Sequence, residues 1–241
     1  MERFEFFQTI VLICSFVIFP STELAKPKQQ TRRRLIEATA RLFAEHGYNG
    51  LTMRSVAREA NANIAAANYH FGSKDAMVLE MLRERIQPIN ERRMELLNLA
   101  RSQSNGLPLS TFLIFHSLIH PIGEEISRSV KLRCSLAQLV ARTFTEPVKF
   151  IERMHQRFFS QVAEVYHREL LLAHPHTPSK EIYWHLHLTV SSMLGALAQH
   201  RRLHDFTQGK CAEEEVSQMI VRLIHFVTNG FEKGIKQKFN Q

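Results

Sequence analysis

The feature that most constrains this chain is a series of closely spaced helix-capping residues, Thr52, Asn63 and Ser73. Side-chain oxygens of Ser, Thr and Asn accept hydrogen bonds from the free N–H groups at a helix start. The series predicts two short helices, over 53–60 and 64–70, and a longer helix that starts after Ser73. No strand-like alternation follows along the chain, so the predicted fold class is all-α.

A longer basic helix precedes the two short ones. The chain from Thr31 to His46 has apolar residues at intervals of three and four, and Gly47 then provides a helix C-cap. Two short helices joined by a tight turn after such a helix form the outline of a helix-turn-helix DNA-binding unit. Helical spacing alone leaves a plain three-helix bundle open as the alternative.

Composition and charge favour the DNA-binding interpretation. The segment Ile64–His70 has few bulky side chains on its outer face, so its backbone could lie deep in a major groove with polar tips at its end. The stretch from Lys26 to Lys74 has nine basic residues against three acidic ones, and the whole chain has a formal charge of +8. Such a balance indicates a polyanionic partner.

Two stretches, Gly50–Ala60 and Asn68–Asp75, strongly resemble the N-terminal domain of TetR-family transcriptional regulators. The resemblance covers Lys28 to Asp75, with helix lengths, caps and a Tyr-His-Phe-x-x-Lys ending all in register. It implies a helix-turn-helix DNA-binding domain over 26–75 and a helical ligand-binding and dimerisation domain over 76–241. The implied protein is a cytoplasmic homodimeric repressor that a small ligand releases from a palindromic double-stranded DNA operator.

The match has two departures and one finer likeness. Asn61 stands where many members have Gly, and Asn68 where many have Tyr, so we expect the phosphate contact to pass to Tyr69. The amino-acid sequence from Asn68 to Lys74 resembles that of the PsrA-like, fatty-acid-responsive branch. This resemblance implies a fatty acid or acyl-CoA as the small hydrophobic effector. The expected base-edge contacts are Ala65, Ala66 and Asn68, supported by Thr52 and Arg54, and the expected phosphate contacts are Arg34, Tyr69, His70 and Lys74.

Beyond Asp75 the pattern stays helical. We expect the helix after Ser73 to reach Arg101, with a kink or break at Pro88, and a loop over 102–108. A further break is expected at His174–Pro178. The other predicted helices cover 109–119, 122–130, 131–144, 147–172, 179–203 and 212–237.

A charged residue on a largely apolar helix can anchor an acidic head group, although a solvent-facing salt bridge is the alternative. The helices at 109–119, 131–144 and 147–172 are rich in Phe, Leu and Met and could line a long cavity. The candidate ligand-binding residues are Phe115, His116, Arg133, Arg142 and Phe158.

The last two helices have the composition of a dimer interface. A continuous apolar stripe runs along the final helix, and small residues on the helix before it permit a close crossing. The alternative is that both helices only close the core of their own monomer. The candidate interface residues are Ser191, Gly195, Ile220, Leu223 and Val227.

Enzymatic chemistry has no motif in this sequence. There is no Gly-x-Ser-x-Gly elbow, Gly-rich phosphate loop or His-Glu-x-x-His, and Cys14, Cys134 and Cys211 are far apart. We therefore predict no enzymatic activity, no cofactor and no metal site.

Residues 1–25 are expected to lie outside the fold. The apolar run from Ile10 to Phe19 has the length of a secretory h-region, but Glu2 and Glu5 precede it with only Arg3. That start lacks the positive charge of a signal peptide, so we predict no membrane partner. The competing hypothesis is an exported or membrane-associated helical ligand-binding protein.

Overall fold

The computed structural model describes residues 27–128, 148–199, 202–210 and 216–235, and within these ranges the regular structure is helical, with no strand. This agrees with the predicted all-α class. The helices are α1 Pro27–Gly50, α2 Met53–Glu59, α3 Ile64–Phe71, α4 Lys74–Gln103, α5 Thr111–Arg128, α6 Val148–Phe158, α7 Ser160–Ala173, α8 Ser179–Gln199, α9 Arg202–Phe206 and α10 Val216–Gly234.

The three predicted caps are confirmed. The Thr52 hydroxyl accepts from the backbone N–H of Ser55, whose side chain accepts from the Thr52 N–H in return. The Asn63 side chain accepts from the N–H of Ala65 at 2.9 Å, and Ser73 caps α4 in the same way. Because each cap satisfies a free donor, the starts of α2, α3 and α4 are set locally.

The N-terminal helix differs from the prediction at its start. It begins at Pro27 instead of Thr31, because the exposed residues before Thr31 include good helix formers that extend it by one turn. Its regular part ends as predicted at Gly47, where φ is 68°. Asn61, in the turn between α2 and α3, has the expected left-handed conformation with φ 48°.

Proline residues do not break the helices where the sequence predicted it. Pro88 lies inside α4, which continues to Gln103, and Pro121 lies inside α5, so the separate helices predicted over 109–119 and 122–130 are one. A proline lacks an N–H and disturbs the carbonyls of the preceding turn. In that turn the Leu118 carbonyl accepts a bond from Arg93 Nε at 2.8 Å, which helps α5 to tolerate Pro121.

The predicted helix over 147–172 is two helices. α6 ends at Phe158, whose carbonyl accepts from Asn90 Nδ2 at 2.8 Å, and α7 starts at Ser160. This bond from α4 gives the Phe158 carbonyl a partner outside the helix. The break at His174–Pro178 is confirmed, α8 is described to Gln199, and the predicted helix over 131–144 lies outside the described residues.

Two hydrophobic cores lie along α4. The first is formed by α1 to α3 and the start of α4, and it also contains Phe150 and Met154 of α6. The second contains the later part of α4 and the inner faces of α5, α7, α8 and α10, where Phe115 packs edge-to-face on Phe231 at 5.4 Å. Since α4 contributes to both cores, it connects them as one continuous element.

Candidate nucleic-acid interface and internal cavity

The outer face of helix α3 consists mostly of small side chains, with polar side chains near the C-terminal end of the helix. Ala65, Asn68 and Tyr69 are exposed, and Tyr69 is 72% exposed. Ala67 on the opposite side is fully buried in the first core and anchors the helix. Such a face can approach base edges closely because small side chains leave room for the backbone.

Basic residues surround this face. Arg34 and Arg54 are exposed, and Lys28 Nζ lies 5.7 Å from the centre of the Tyr69 ring. Lys28 was not among the DNA contacts predicted from the sequence, although its charge and its position one turn before Arg32 could have indicated it. Exposed cations beside an open helix face are what phosphate contacts require.

Several predicted DNA contacts already have partners inside the protein. The Thr52 hydroxyl is engaged in its cap with Ser55, and His70 is only half-exposed. Lys74 Nζ donates to the Tyr48 carbonyl at 3.1 Å and lies 4.1 Å from the centre of the Tyr48 ring. An ammonium group has three donors, so Lys74 retains capacity for a phosphate while it also fixes the end of α1.

Ion pairs hold the helices of this region together. Arg32 of α1 bonds Glu80 and also Glu84 of α4, the latter at 2.6 Å, and Arg41 bonds Glu59 of α2 at 3.0 Å. The pKa of Glu80 is lowered, first by its hydrogen bond with Arg83 and also by the charge of Arg32. These links join α1 to α2 and α4, next to the caps that position α3.

A cavity of about 370 Å³ lies where the two cores meet, and its walls are mostly apolar. This size is within the range of about 300–1,000 Å³ that is usual for small-molecule sites. The apolar walls come from α4, α5, α6, α7 and α8, and they include Leu82, Ile86, Ile89, Leu118, Ile122, Phe150, Met154, Phe159, Val162, Val190, Met193 and Leu194.

The main polar groups on the inner wall are Arg93 and Tyr166. Arg93 is 3% exposed, and its burial lowers its pKa to about 10, which still leaves it protonated at neutral pH. Tyr166 donates to Ser117 Oγ at 3.1 Å, and burial raises its pKa to about 12. His155, Tyr183 and His187 also line the cavity and are exposed, so they mark its opening.

Three of the five predicted ligand residues do not line this cavity. Phe115 is buried against Phe231 in the second core, His116 stacks on His120 on another side of α5, and Phe158 packs on the first core. Helix rotation explains why these three side chains lie elsewhere, because an apolar helix has several buried sides and only one faces the cavity. The other two predicted residues, Arg133 and Arg142, lie outside the described residues.

Arg93 is the cavity residue that sequence reasoning missed. It interrupts an apolar stripe of α4 that includes Leu82, Ile89 and Leu97, all of which are buried. A charged residue at a stripe position was the signal that could have found it, because such a residue is forced inward by its neighbours.

The dimer assignment of α10 also needs correction. Ile220, Leu223 and Val227 are at most 7% exposed and belong to the core of their own monomer, because α10 packs its stripe on α5. The small residues of α8 remain candidates, since Ser191 and Gly195 are only partly buried and a side chain added at Gly195 would meet open space. Large apolar side chains lie exposed on the outer faces of α8 and α10, namely Tyr183, Trp184, Leu188, Val221 and Phe226.

Helix α6 connects the cavity to the first core. Phe150 lines the cavity and also stacks on Tyr48 of α1, with ring centres 4.7 Å apart. Arg153 of the same helix pairs with Asp75 at the start of α4 at 3.1 Å, and Asp75 also accepts a bond from the Tyr48 hydroxyl. A change in the cavity that moves α6 would therefore act directly on the ends of α1 and α4.

Two other kinds of site are absent from the described residues. None of the helices there combines the length and apolarity needed to cross a bilayer. The same part of the chain has no cluster of three or more His, Cys, Asp and Glu side chains that could hold a metal ion.

The architecture defines a helix-turn-helix protein with an attached helical domain, and comparisons with known proteins agree. Residues 35–81 match the family described as bacterial regulatory proteins of the tetR family, and residues 116–230 match the tetracyclin repressor-like C-terminal domain. The chain therefore belongs to the TetR family of transcriptional regulators, whose members are DNA-binding proteins without enzymatic activity.

Individual relatives match only a part of the chain. The HTH-type transcriptional regulator BetI of Agrobacterium fabrum is 36% identical over 58 residues, which are 24% of this chain and 28% of BetI. The HTH-type transcriptional repressor AcnR of Corynebacterium efficiens is 37% identical over 54 residues, which are 22% of this chain and 29% of AcnR. The aligned segments thus span less than a third of either relative.

A solved structure extends the likeness to most of the fold. The fatty acid degradation regulator FadR from Bacillus halodurans superposes with a TM-score of 0.53 at 13% identity, over 86% of this chain and 98% of that chain. At that identity the likeness concerns the fold.

Proposed function

We propose that this protein is a homodimeric transcriptional repressor that binds operator DNA through α3 and is released by a small effector in the internal cavity. The observation that carries the proposal is the exposed outer face of α3, held by capped helices and flanked by Lys28, Arg34 and Arg54. Membership of the TetR family supports it over the exported ligand-binding protein. The region over 26–75 is then the DNA-binding unit, 76–241 carries ligand and partner, and residues 1–25 are an extension.

Within this proposal, α3 reads the operator and the surrounding cations position it. Asn68 hydrogen-bonds a base edge, as an amide can do bidentately to adenine. Ala65 and Ala66 let the helix approach, while Arg34, Tyr69 and Lys74 contact phosphates. These assignments retain the sequence-based set and add Lys28 to the phosphate contacts.

Dimerisation uses the outer faces of α8 and α10. Leu188, Val221 and Phe226 are each more than half exposed, and Gly195 leaves space for a second helix. A twofold pair built on these faces would match a palindromic operator, with two α3 helices about 34–36 Å apart along the DNA.

An effector in the cavity would act through α6. It would press on Phe150 and Met154, which also fill the first core, and thereby change the position of α3 relative to that of the partner subunit. Linkage requires that operator DNA weakens effector binding by the same factor as the effector weakens DNA binding. An acyl compound, a fatty acid or acyl-CoA, fits the apolar walls and the fold likeness to a fatty acid degradation regulator. Its place of action would be the cytoplasm, where the operator is.

The test starts from DNA selected by the protein from a genomic or random library, followed by binding measurements on specific and random duplexes. Asn68→Ala should cost about 1–3 kcal/mol on the selected operator and almost nothing on random DNA. Asn98→Ala is the matched control, because Asn98 is an exposed amide in the distal part of α4.

Failure to select any sequence above background would contradict the proposal. Equal losses on both duplexes for Asn68→Ala would remove Asn68 from the base-reading set and leave it as a backbone contact.

A further inference from the structure

Arg93 has a buried positive charge that no carboxylate in the described part of the chain neutralises. Its Nε donates to the Leu118 carbonyl and its Nη1 to Asn90 Oδ1, both at 2.8 Å, and both acceptors are neutral. The nearby carboxylates are paired elsewhere, since Glu124 bonds Arg92 at 3.0 Å and Glu169 bonds Arg101 at 2.5 Å. An unpaired buried charge is unfavourable unless something compensates it.

The guanidinium of Arg93 also has donors to spare. An arginine side chain carries five N–H donors in a planar fork, and the described residues accept from Arg93 through Nε and Nη1 only. Arg93 lies on the wall of a mostly apolar cavity, so the remaining donors are available to a molecule inside it. The planar fork matches the geometry of a carboxylate.

We propose that the effector is a free amphipathic monocarboxylic acid, with its carboxylate on Arg93 and its apolar chain along the cavity walls. This inference rests on the proposed function for its regulatory meaning, but the binding site itself does not depend on it. The guanidinium of Arg93, which is almost fully buried, balances one negative charge, whereas a phosphate monoester placed against it would bury excess charge. The acyl group of a thioester carries no carboxylate, so it lacks the group that would pair with Arg93.

A second guanidinium on the same wall provides a sharp comparison. Arg85 also lines the cavity, and its Nε is buried without a hydrogen-bond partner among the described residues. It precedes Arg93 on α4 by two turns, about 12 Å along the helix axis. Arg93 is the anchor, because it is almost fully buried while Arg85 is half-buried.

The experiment compares three probes with the same ten-carbon chain, decanoate, decanol and decyltrimethylammonium, by calorimetry on the full chain at neutral pH. Decanoate should bind about tenfold or more tightly than decanol, as expected for hydrogen bonds to a charged group. The cationic probe should not bind measurably. Decanoyl-CoA, the fourth probe, should bind more weakly than decanoate.

Variants locate the carboxylate. Arg93→Met should reduce the preference for decanoate over decanol to about threefold or less, and Arg93→Lys should retain part of it. Arg168→Met is the matched control, because Arg168 is exposed on α7, and it should leave the preference unchanged. Arg85→Met should also leave it unchanged.

Several results would overturn the inference. These are equal binding of decanoate and decanol to the unmodified protein, a preference for the cation or the thioester, an unchanged preference in folded Arg93→Met, or a loss caused by Arg85→Met alone. The comparison of probes on the unmodified protein needs no variant, so an unfolded Arg93→Met leaves the inference testable.

Operator binding is measured in parallel. A protein that binds its operator but shows no preference for the acid would refute this inference and leave the proposed function standing. A protein that binds decanoate through Arg93 but selects no DNA would refute the proposed function and leave the carboxylate site standing.

Discussion

At the scale of single residues, several side chains near the proposed DNA-binding face have a structural role beside the binding role that we propose for them. Thr52, Asn63 and Ser73 set helix starts, and Lys74 links the start of α4 to the carbonyl of Tyr48. A substitution at such a position changes both the stability of the domain and its contacts with DNA. The two effects are separated by measuring unfolding and salt dependence together.

Lys74→Ala should affect both quantities. We expect the salt slope of DNA binding to fall by about one unit on every duplex, since one phosphate contact is lost. The free energy of unfolding should fall by about 1 kcal/mol, because the Tyr48 carbonyl loses a donor and its ring loses a cation. Lys210→Ala, an exposed lysine after α9, is the control. A lower stability with an unchanged salt slope would make Lys74 purely structural.

His116 predicts a pH dependence of stability. Burial, followed by repulsion from His120, lowers the pKa of His116 from its usual 6.5 to about 4. The unfolded chain therefore takes up the proton first, so the free energy of unfolding should decrease as pH falls from about 6.5 to about 4. His116→Leu should remove about 1–2 kcal/mol of this decrease.

Urea titrations at a series of pH values measure the contribution of His116 to the pH dependence of the free energy of unfolding. His176→Leu, at an exposed histidine in the loop after α7, is the control. The depressed carboxyl of Glu124, with a pKa of about 2, loses its stabilising effect only at lower pH, from about 4.5 downwards, so it does not mask the histidine. An identical pH profile in His116→Leu would contradict the assignment.

At the scale of elements, α6 is part of both the first core and the cavity wall. Phe150 and Met154 complete the first core and also line the cavity, and Arg153 binds Asp75 at the start of α4. A helix placed in this way can transmit a change from the cavity to the DNA-binding unit without any change inside α3 itself. The physical requirement is a differential contact with the two states, which Phe150 is in a position to supply.

Phe150→Leu tests this role. The substitution should cost about 1–2 kcal/mol of stability, because the smaller side chain leaves part of the first core unfilled. It should also reduce the factor by which an acyl ligand weakens operator binding, while operator affinity without ligand stays close to that of the unmodified protein. Leu97→Met, in the second core and away from the cavity wall, is the control. An unchanged ligand effect in Phe150→Leu would show that α6 does not carry the coupling.

At the scale of the whole molecule, one helix presents two different apolar faces. The inner face of α10 closes the monomer on α5, and the outer face carries Val221 and Phe226, which are 51% and 69% exposed. Exposed apolar side chains grouped in this way are typical of an association surface. The two faces predict different consequences for charged substitutions only three residues apart.

Phe226→Asp should produce a folded monomer, because the charge disrupts the outer face and remains in water. Leu223→Asp should instead unfold the chain, because it buries an unpaired carboxylate in the monomer's own core. Sedimentation gives the oligomeric state and circular dichroism gives the fold. Leu107→Asp, at a 71% exposed leucine in the loop between α4 and α5, is the control. A dimer that persists in Phe226→Asp would place the interface elsewhere.

The sequence by itself determined the local features of this protein. The caps at Thr52, Asn63 and Ser73, the left-handed turn at Asn61 and the break at His174 follow from side-chain chemistry within a few residues, so they could be predicted. The exposed residues of α3, which we propose to face DNA, belong to the same class. Their exposure depends on a helix whose buried side is fixed by its own short pattern.

Tertiary structure decided which side of each longer helix faces the core, the cavity or the molecular surface. The stripe containing Leu223 could close a core or a dimer, and only the packing of α10 on α5 decided for the core. Phe115 and Arg93 both lie on the buried side of their helices, yet of the two only Arg93 reaches the cavity, because the relative rotation of five helices places its walls. Pro121 likewise left α5 intact, helped by a bond from Arg93 to the carbonyl of Leu118. Periodicity gives the faces of a helix, but which neighbour covers each face is settled by contacts between residues far apart in the chain.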